Sequence, residues 1–384
     1  MIVFGAETAV GTRYEFEGIS MQRTFFWFLI ATQFSACGNE NSSLPASSVK
    51  WQTLSGERPI VIAHRGASAY LPGHTLEAYE LGIDQGADFI EPDLVLTKDN
   101  VLICRHGRYL STTTNIADHL EFADRRVEKD GRTDWWVEDF TVAEIKTLRS
   151  REDSPHRSKL NDDKFTVPTF DEVIELVKRK SEETGRIIGI NPEPKQAEQY
   201  AAAGRDITAA LLASLERAGW TGSDAPVIIQ SFEAAVLKEL NELIDVPLIQ
   251  LTLSKTFFDA GAAHESFIEL DKIPEYADGV GPSRLLVVHE DGTVTDLIKR
   301  AHALGLQVHV WTVLGDRNSP DGLSPEDETR RLYDLGVDAL FADDPAQAVR
   351  IRAERQGSAA MSEISTHGDL DNTSSGLRKT RDDF

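Results

Sequence analysis

Between residues 59 and 341 the chain repeats one pattern, a short apolar run followed by an amphipathic stretch, and eight such runs can be counted. They are Pro59–Ala63, Asp88–Asp93, Ile187–Ile190, Val227–Gln230, Pro247–Leu251, Leu285–Val288, Gln307–Trp311 and Asp338–Phe341. Helical periodicity lies between them at Leu76–Gln85, Ile207–Ala218, Phe232–Leu243, Val294–Leu304 and Pro325–Leu335. Thr141 with Glu144, and Thr169 with Glu172, have the spacing of capping boxes that start helices. Strand-then-helix order favours a parallel sheet with helices outside it. Eight strands predict an α/β fold of the closed TIM-type (β/α)8 kind. The rival is an open doubly wound sheet, but no Gly-x-Gly-x-x-Gly turn follows the first run.

The ends read differently from the core. Residues 21–36 carry Arg23, an apolar run from Phe25 to Ala31, and the small residues Ser35 and Ala36, which is the shape of an export signal. The run falls short of the roughly 20 residues that span a bilayer. Ser35-Ala36-Cys37-Gly38 resembles the processing site of bacterial lipoproteins, although Phe34 is atypical there. On that reading Met21 is the start and Cys37 carries a lipid that tethers the protein to a membrane. The protein would then be extracytoplasmic, a periplasmic or outer-membrane-associated lipoprotein, or else secreted; the competing reading is a strand or short helix that opens the domain. The expected division is an upstream segment and polar tether over 1–54, a barrel domain over 55–350, and a disordered tail without apolar periodicity over 351–384. A long polar stretch, about 108–167 and containing Trp135 and Trp136, follows the second run and reads as an insertion over the active-site face.

Asp and Glu number 63 against 40 Lys and Arg, a formal charge of −23, which disfavours nucleic acid as a partner. Cys37 and Cys104 are the two cysteines, too few for a disulfide framework or a structural zinc site. Nothing in the sequence sets the oligomeric state.

The chemistry-bearing residues fall where strands end. Glu91 and Asp93 are two residues apart on one apolar run, so strand alternation points both to one face. Such a pair is either an exposed acidic surface or half of a metal site. Glu193, closing another run, adds a third carboxylate. This all-oxygen set suits Ca²⁺ or Mg²⁺ better than zinc. Lys195 either holds a phosphate or neutralises one of the acids. His64-Arg65-Gly66 follows the first run, and His106 follows Val101–Cys104. Each histidine alone reads as an ordinary polar residue; together, beside an arginine and three acids, they read as an acid–base pair for phosphoryl transfer.

The segments His64-Arg-Gly-Ala-Ser-Ala-Tyr-Leu-Pro-Gly-His74-Thr75, Gly86-Ala-Asp-Phe-Ile-Glu-Pro-Asp93, Arg105-His106, Pro192-Glu193-Pro-Lys195, Gln230-Ser-Phe232, Ala277-Asp-Gly-Val-Gly-Pro282, Val310-Trp311-Thr312 and Gly336–Pro345 resemble, in order, the glycerophosphodiester phosphodiesterases. The resemblance is to the exported bacterial type with an insertion in the barrel. It implies metal-dependent hydrolysis of small-molecule glycerophosphodiesters, such as glycerophosphocholine, to glycerol 3-phosphate and an alcohol. By family pattern His64 and His106 are the catalytic acid–base pair, Arg65 and Lys195 hold the phosphate, and Glu91, Asp93 and Glu193 bind one divalent ion. Gln230, Phe232 and Trp311 would line the substrate pocket. The chain departs from the pattern at Gly73, where an acid is usual, and at Gly107, where an acid often follows the second histidine. The alternatives are a phosphodiesterase or lyase acting on lysophospholipids, and a catalytically weakened protein that binds phosphodiesters.

Overall fold

The strands of the computed structural model, which describes residues 50–253 and 269–368, are short: β1 (Ile60–His64), β2 (Phe89–Glu91), β3 (Asp93–Leu96), β4 (Leu102–Cys104), β5 (Val127–Lys129), β6 (Arg132–Asp134), β7 (Gly189–Ile190), β8 (Glu193–Pro194), β9 (Ile229–Ser231), β10 (Leu248–Thr252), β11 (Gly279–Pro282), β12 (Gln307–Val313) and β13 (Ala339–Ala342). Eight of them form a parallel sheet in the order β7-β2-β1-β13-β12-β11-β10-β9. The edges meet through a parallel bridge between Ile190 and Val227, where Ile190 N–H donates to the Pro226 carbonyl at 2.9 Å and Ile228 N–H to the Ile190 carbonyl at 3.0 Å. The fold is therefore an α/β barrel of eight parallel strands with helices around it. The expected export signal, residues 21–36, and Cys37 after it lie outside the described residues.

Strand alternation sorts the core into two layers. Ile62, Ala339 and Phe341 pack inside the barrel with Ile60, Phe89 and Trp311. Val61, Ala63, Val308, Val310 and Leu340 face outward and join the larger core under the helices. Helices Ile207–Ala218 and Pro325–Leu335 occupy the expected residues, and both capping boxes are formed, with Thr141 and Thr169 accepting from the N–H of Glu144 and Glu172.

One barrel strand lies elsewhere than expected. Leu285–Val288 falls on a short helix, Arg284–Val287, and the strand is Gly279–Pro282. A Cβ on Gly279 would sit 2.7 Å from Ile249 Cδ1, and one on Gly281 2.5 Å from Leu251 Cδ2. This strand is built of glycine because its neighbours occupy that space, which erases its apolar signature. The expected single strand Asp88–Asp93 is also two strands: Pro92, lacking an N–H, separates β2 from β3. The stretch 108–167 carries the β5–β6 hairpin and several short helical turns. The last helix runs Pro345–Gly368, with Ile351 and Arg352 buried, so the tail expected from 351 begins inside a packed helix.

Candidate metal centre and substrate pocket

Backbone pairing places the acids. Asp93 and Glu193 are register partners where β3 runs parallel to β8, and His64 and Glu91 are partners where β1 runs beside β2. Glu193 N–H donates to the Pro92 carbonyl at 2.9 Å, and Lys195 N–H to the Leu94 carbonyl at 3.0 Å. The result is a buried cluster in which one ligand atom from each of Glu91, Asp93 and Glu193 lies within 4.8 Å of the others.

Each carboxylate is held in place by neighbours. Glu91 Oε2 accepts from the Arg65 backbone N–H at 3.0 Å, and its Oε1 accepts from Gln230 Nε2 at 3.3 Å. Arg65 has a left-handed backbone, φ 58°, which aims that N–H inward. Lys195 Nζ lies 2.7 Å from Glu193 Oε1 and 3.4 Å from Asp93 Oδ1. Burial, with Lys195 working against it, raises the Glu193 carboxyl to about 8. Burial and Asp93 also raise Glu91, whereas Asp93 stays well below its ordinary value because Lys195 and His74 outweigh its burial. Buried acids that repel one another in this way are stabilised as carboxylates by a cation among them, and hard oxygen donors match Ca²⁺ or Mg²⁺. Glu91, Asp93 and Glu193 form a site for one divalent metal ion.

Above it opens a pocket of about 350 Å³ lined by His64, Arg65, Glu91, Asp93, His106, Glu193, Lys195, Gln230, Phe232 and Trp311, among others. All ten side chains picked out from the sequence thus face one cavity at the strand ends, where barrel enzymes place their chemistry. Phe232 and Trp311 meet edge to face with ring centroids 5.7 Å apart, and Trp311 Nε1 donates to the Gly281 carbonyl at 2.7 Å. Tyr109, from the stretch after β4, and Leu251 and Leu253 also line the wall.

The expected catalytic His64–His106 pair is corrected by this geometry: the centre the fold assembles is the Glu91–Asp93–Glu193 cluster. His64 Nδ1 is taken by Asp343 Oδ1 at 2.7 Å, and burial followed by the Arg65 charge lowers its pKa. The charges of Arg65 and Lys195 push His106 well below its ordinary value. Both rings line the pocket beside the cluster, where burial and the neighbouring cations favour their neutral forms.

Three residues escaped the sequence reading. Asp343, just beyond β13, receives His64, Ser68 Oγ at 3.0 Å and Arg157, and is held at about 2 by His64 and Arg157 against its burial. His74 bonds Asp93, and Arg157 reaches Asp343 from the 108–167 stretch. Position at a strand end was a signal for Asp343; nothing local marked Arg157.

This barrel, with an acidic metal site and two cations at its mouth, has the form of a metal-dependent phosphodiester hydrolase. The Glycerophosphoryl diester phosphodiesterase family profile matches residues 64–347. A glycerophosphodiester phosphodiesterase of Arabidopsis thaliana is 35% identical over 322 residues, covering 76% of this chain and 85% of that protein. One from Haemophilus influenzae is 30% identical over 369 residues, covering 84% and 95%. The structure of an Oleispira antarctica phosphodiesterase in complex with the product sn-glycerol-3-phosphate shares the fold, with a TM-score of 0.54, 21% identity and coverage of 78% and 98%. The chain belongs to the glycerophosphoryl diester phosphodiesterase family, and it is an enzyme, a phosphoric diester hydrolase.

Proposed function

We propose that the enzyme hydrolyses glycerophosphodiesters such as glycerophosphocholine to glycerol 3-phosphate and an alcohol. The observation that carries this reading is the convergence of three buried carboxylates with Arg65 and Lys195 in one pocket of a chain from this family. A divalent ion at the cluster supplies Lewis-acid polarisation of the phosphoryl group. Arg65 and Lys195 bind the non-bridging oxygens and offset the charge that grows on them. Gln230, Phe232 and Trp311 shape the wall for the organic parts of the diester. About 350 Å³ is near the small end of ligand pockets and suits a deacylated diester better than a lysophospholipid.

The exported form of the family fits residues 21–36, and lipid attachment at Cys37 would tether the enzyme outside the cytoplasm. Tyr109 on the pocket wall and Arg157 against Asp343 support the reading of 108–167 as an insertion over the active-site face.

A coupled assay for glycerol 3-phosphate, run on glycerophosphocholine, other head-group diesters and lysophosphatidylcholine, tests the substrate class. Release from the deacylated diesters is expected. Turnover confined to the lysolipid, or binding without turnover, would reject the reading.

A further inference from the structure

A second cavity, of about 40 Å³, adjoins the substrate pocket through Arg65 and His106, which line both. Its walls also carry Arg105, Arg151 and Arg157, together with Glu152 and Asp153. Most of these arginines are matched by acids. Arg65 Nε lies 3.7 Å from Asp93, Arg151 pairs with Asp118 and Asp163, and Arg157 pairs with Asp316 and Asp343.

Arg105 differs from them. It is 4% exposed, and its Nη2 donates to two neutral acceptors, the Tyr109 carbonyl at 3.1 Å and Thr113 Oγ1. Its Nε is buried without an acceptor, as is that of Arg65, and no ion pair to Arg105 forms among the described residues. Burial lowers its pKa to about 10, since Asp153 and Asp134 attract it only from beyond ion-pair distance. The Glu152 carboxyl is raised by burial, and its Oε1 is spent on the Ser154 N–H. A buried guanidinium without an ion pair is costly, and a bound counter-charge offsets the cost.

Gly73 lines the same cavity, and a Cβ there would come within 3.1 Å of Arg65 Cβ, so the missing side chain keeps the space open. At roughly 10–15 Å³ for each water, the cavity takes about three waters or one small ion with a water. We propose that it is a binding site for one monovalent anion of chloride's size, held by Arg105. Since Arg65 also faces the substrate phosphate in the reading above, the anion would moderate the charge Arg65 presents there; that consequence rests on the reading, while the site itself does not.

The test uses no turnover. Thermal unfolding of the full chain is compared in sodium chloride, bromide and gluconate at one ionic strength, and chloride NMR line width is followed as protein is added. The expected result is a midpoint several degrees higher in chloride and bromide than in gluconate, with chloride line broadening, both lost in Arg105→Gln. Equal midpoints with no broadening, or a chloride effect that persists in Arg105→Gln, would overturn the proposal. If Arg105→Gln does not fold, a bromide anomalous peak beside Arg105 in wild-type crystals supports it, and water alone at that position overturns it.

Discussion

His74 grips the metal-site carboxylate from behind: its Nε2 lies 2.9 Å from Asp93 Oδ2, while its Nδ1 lies 2.8 Å from the Tyr79 hydroxyl. A neutral imidazole meets both partners when Nε2–H donates to Asp93 and Nδ1 accepts from Tyr79, which fixes ring orientation. His74 adopts a left-handed backbone, φ 59°, and its N–H donates to the Arg65 carbonyl at 3.1 Å. Partners of this kind hold a ligand ready for its metal. His74→Phe should lower divalent-ion affinity about 10- to 100-fold in titration calorimetry. Affinity equal to wild type in the folded variant would leave His74 a packing role alone.

Arg65 serves the site twice, through its backbone to Glu91 and through its side chain at the pocket. Arg65→Gln keeps the N–H and removes the charge. We expect kcat/KM to fall about 10²- to 10³-fold while metal affinity stays within a few-fold of wild type. Parallel loss of both would show that the guanidinium acts mainly by holding the cluster together.

His309, on the same face of β12 as Trp311, is fully buried, with Nε2 2.9 Å from Gln307 Oε1 and Nδ1 unpartnered. Burial lowers its pKa from 6.5 to about 4. A group depressed in the folded state is neutral there while the unfolded chain takes up a proton. Its contribution is therefore complete above pH 6.5 and is lost as the pH falls toward 4. The difference amounts to about 3 kcal/mol. Denaturant unfolding across that window should show a steeper acid loss for wild type than for His309→Gln, and identical slopes would contradict the assignment.

Gly281 has no room for a side chain, with Leu251 Cδ2 2.5 Å from where a Cβ would be. Gly281→Val should cost about 1–3 kcal/mol by overpacking. Chemical denaturation measures it, and an unchanged midpoint would mean that β10 and β11 separate freely.

The same glycines show where the sequence stops being legible. Seven of the eight barrel strands carry apolar residues that alternate or run together, so their period survives in the text of the chain. In β11 the inward positions are Gly279 and Gly281, and the nearest apolar run, Leu285–Val288, belongs to the next turn of helix. The metal ligands were readable because pairing of β3 with β8 brings together residues already placed at strand ends. Their supports were not, since His74 reaches Asp93 across 19 positions and Arg157 reaches Asp343 across 186. The histidine pair misled for a related reason. Residue type suggested proton transfer, but Asp343 engages His64, and the cations Arg65 and Lys195 depress His106, through contacts that no local spacing records.

The central claim is that Glu91, Asp93 and Glu193 bind the metal ion on which hydrolysis depends. Its most direct measurement is glycerol 3-phosphate release from glycerophosphocholine by chelated enzyme, titrated with Ca²⁺ or Mg²⁺, for wild type and for Glu193→Gln. Chelated wild type should be inactive and regain its rate with one of these ions, whereas Glu193→Gln should remain far below it at the same ion concentration. Full activity after complete metal removal, or recovery of Glu193→Gln along the wild-type curve, would contradict the account.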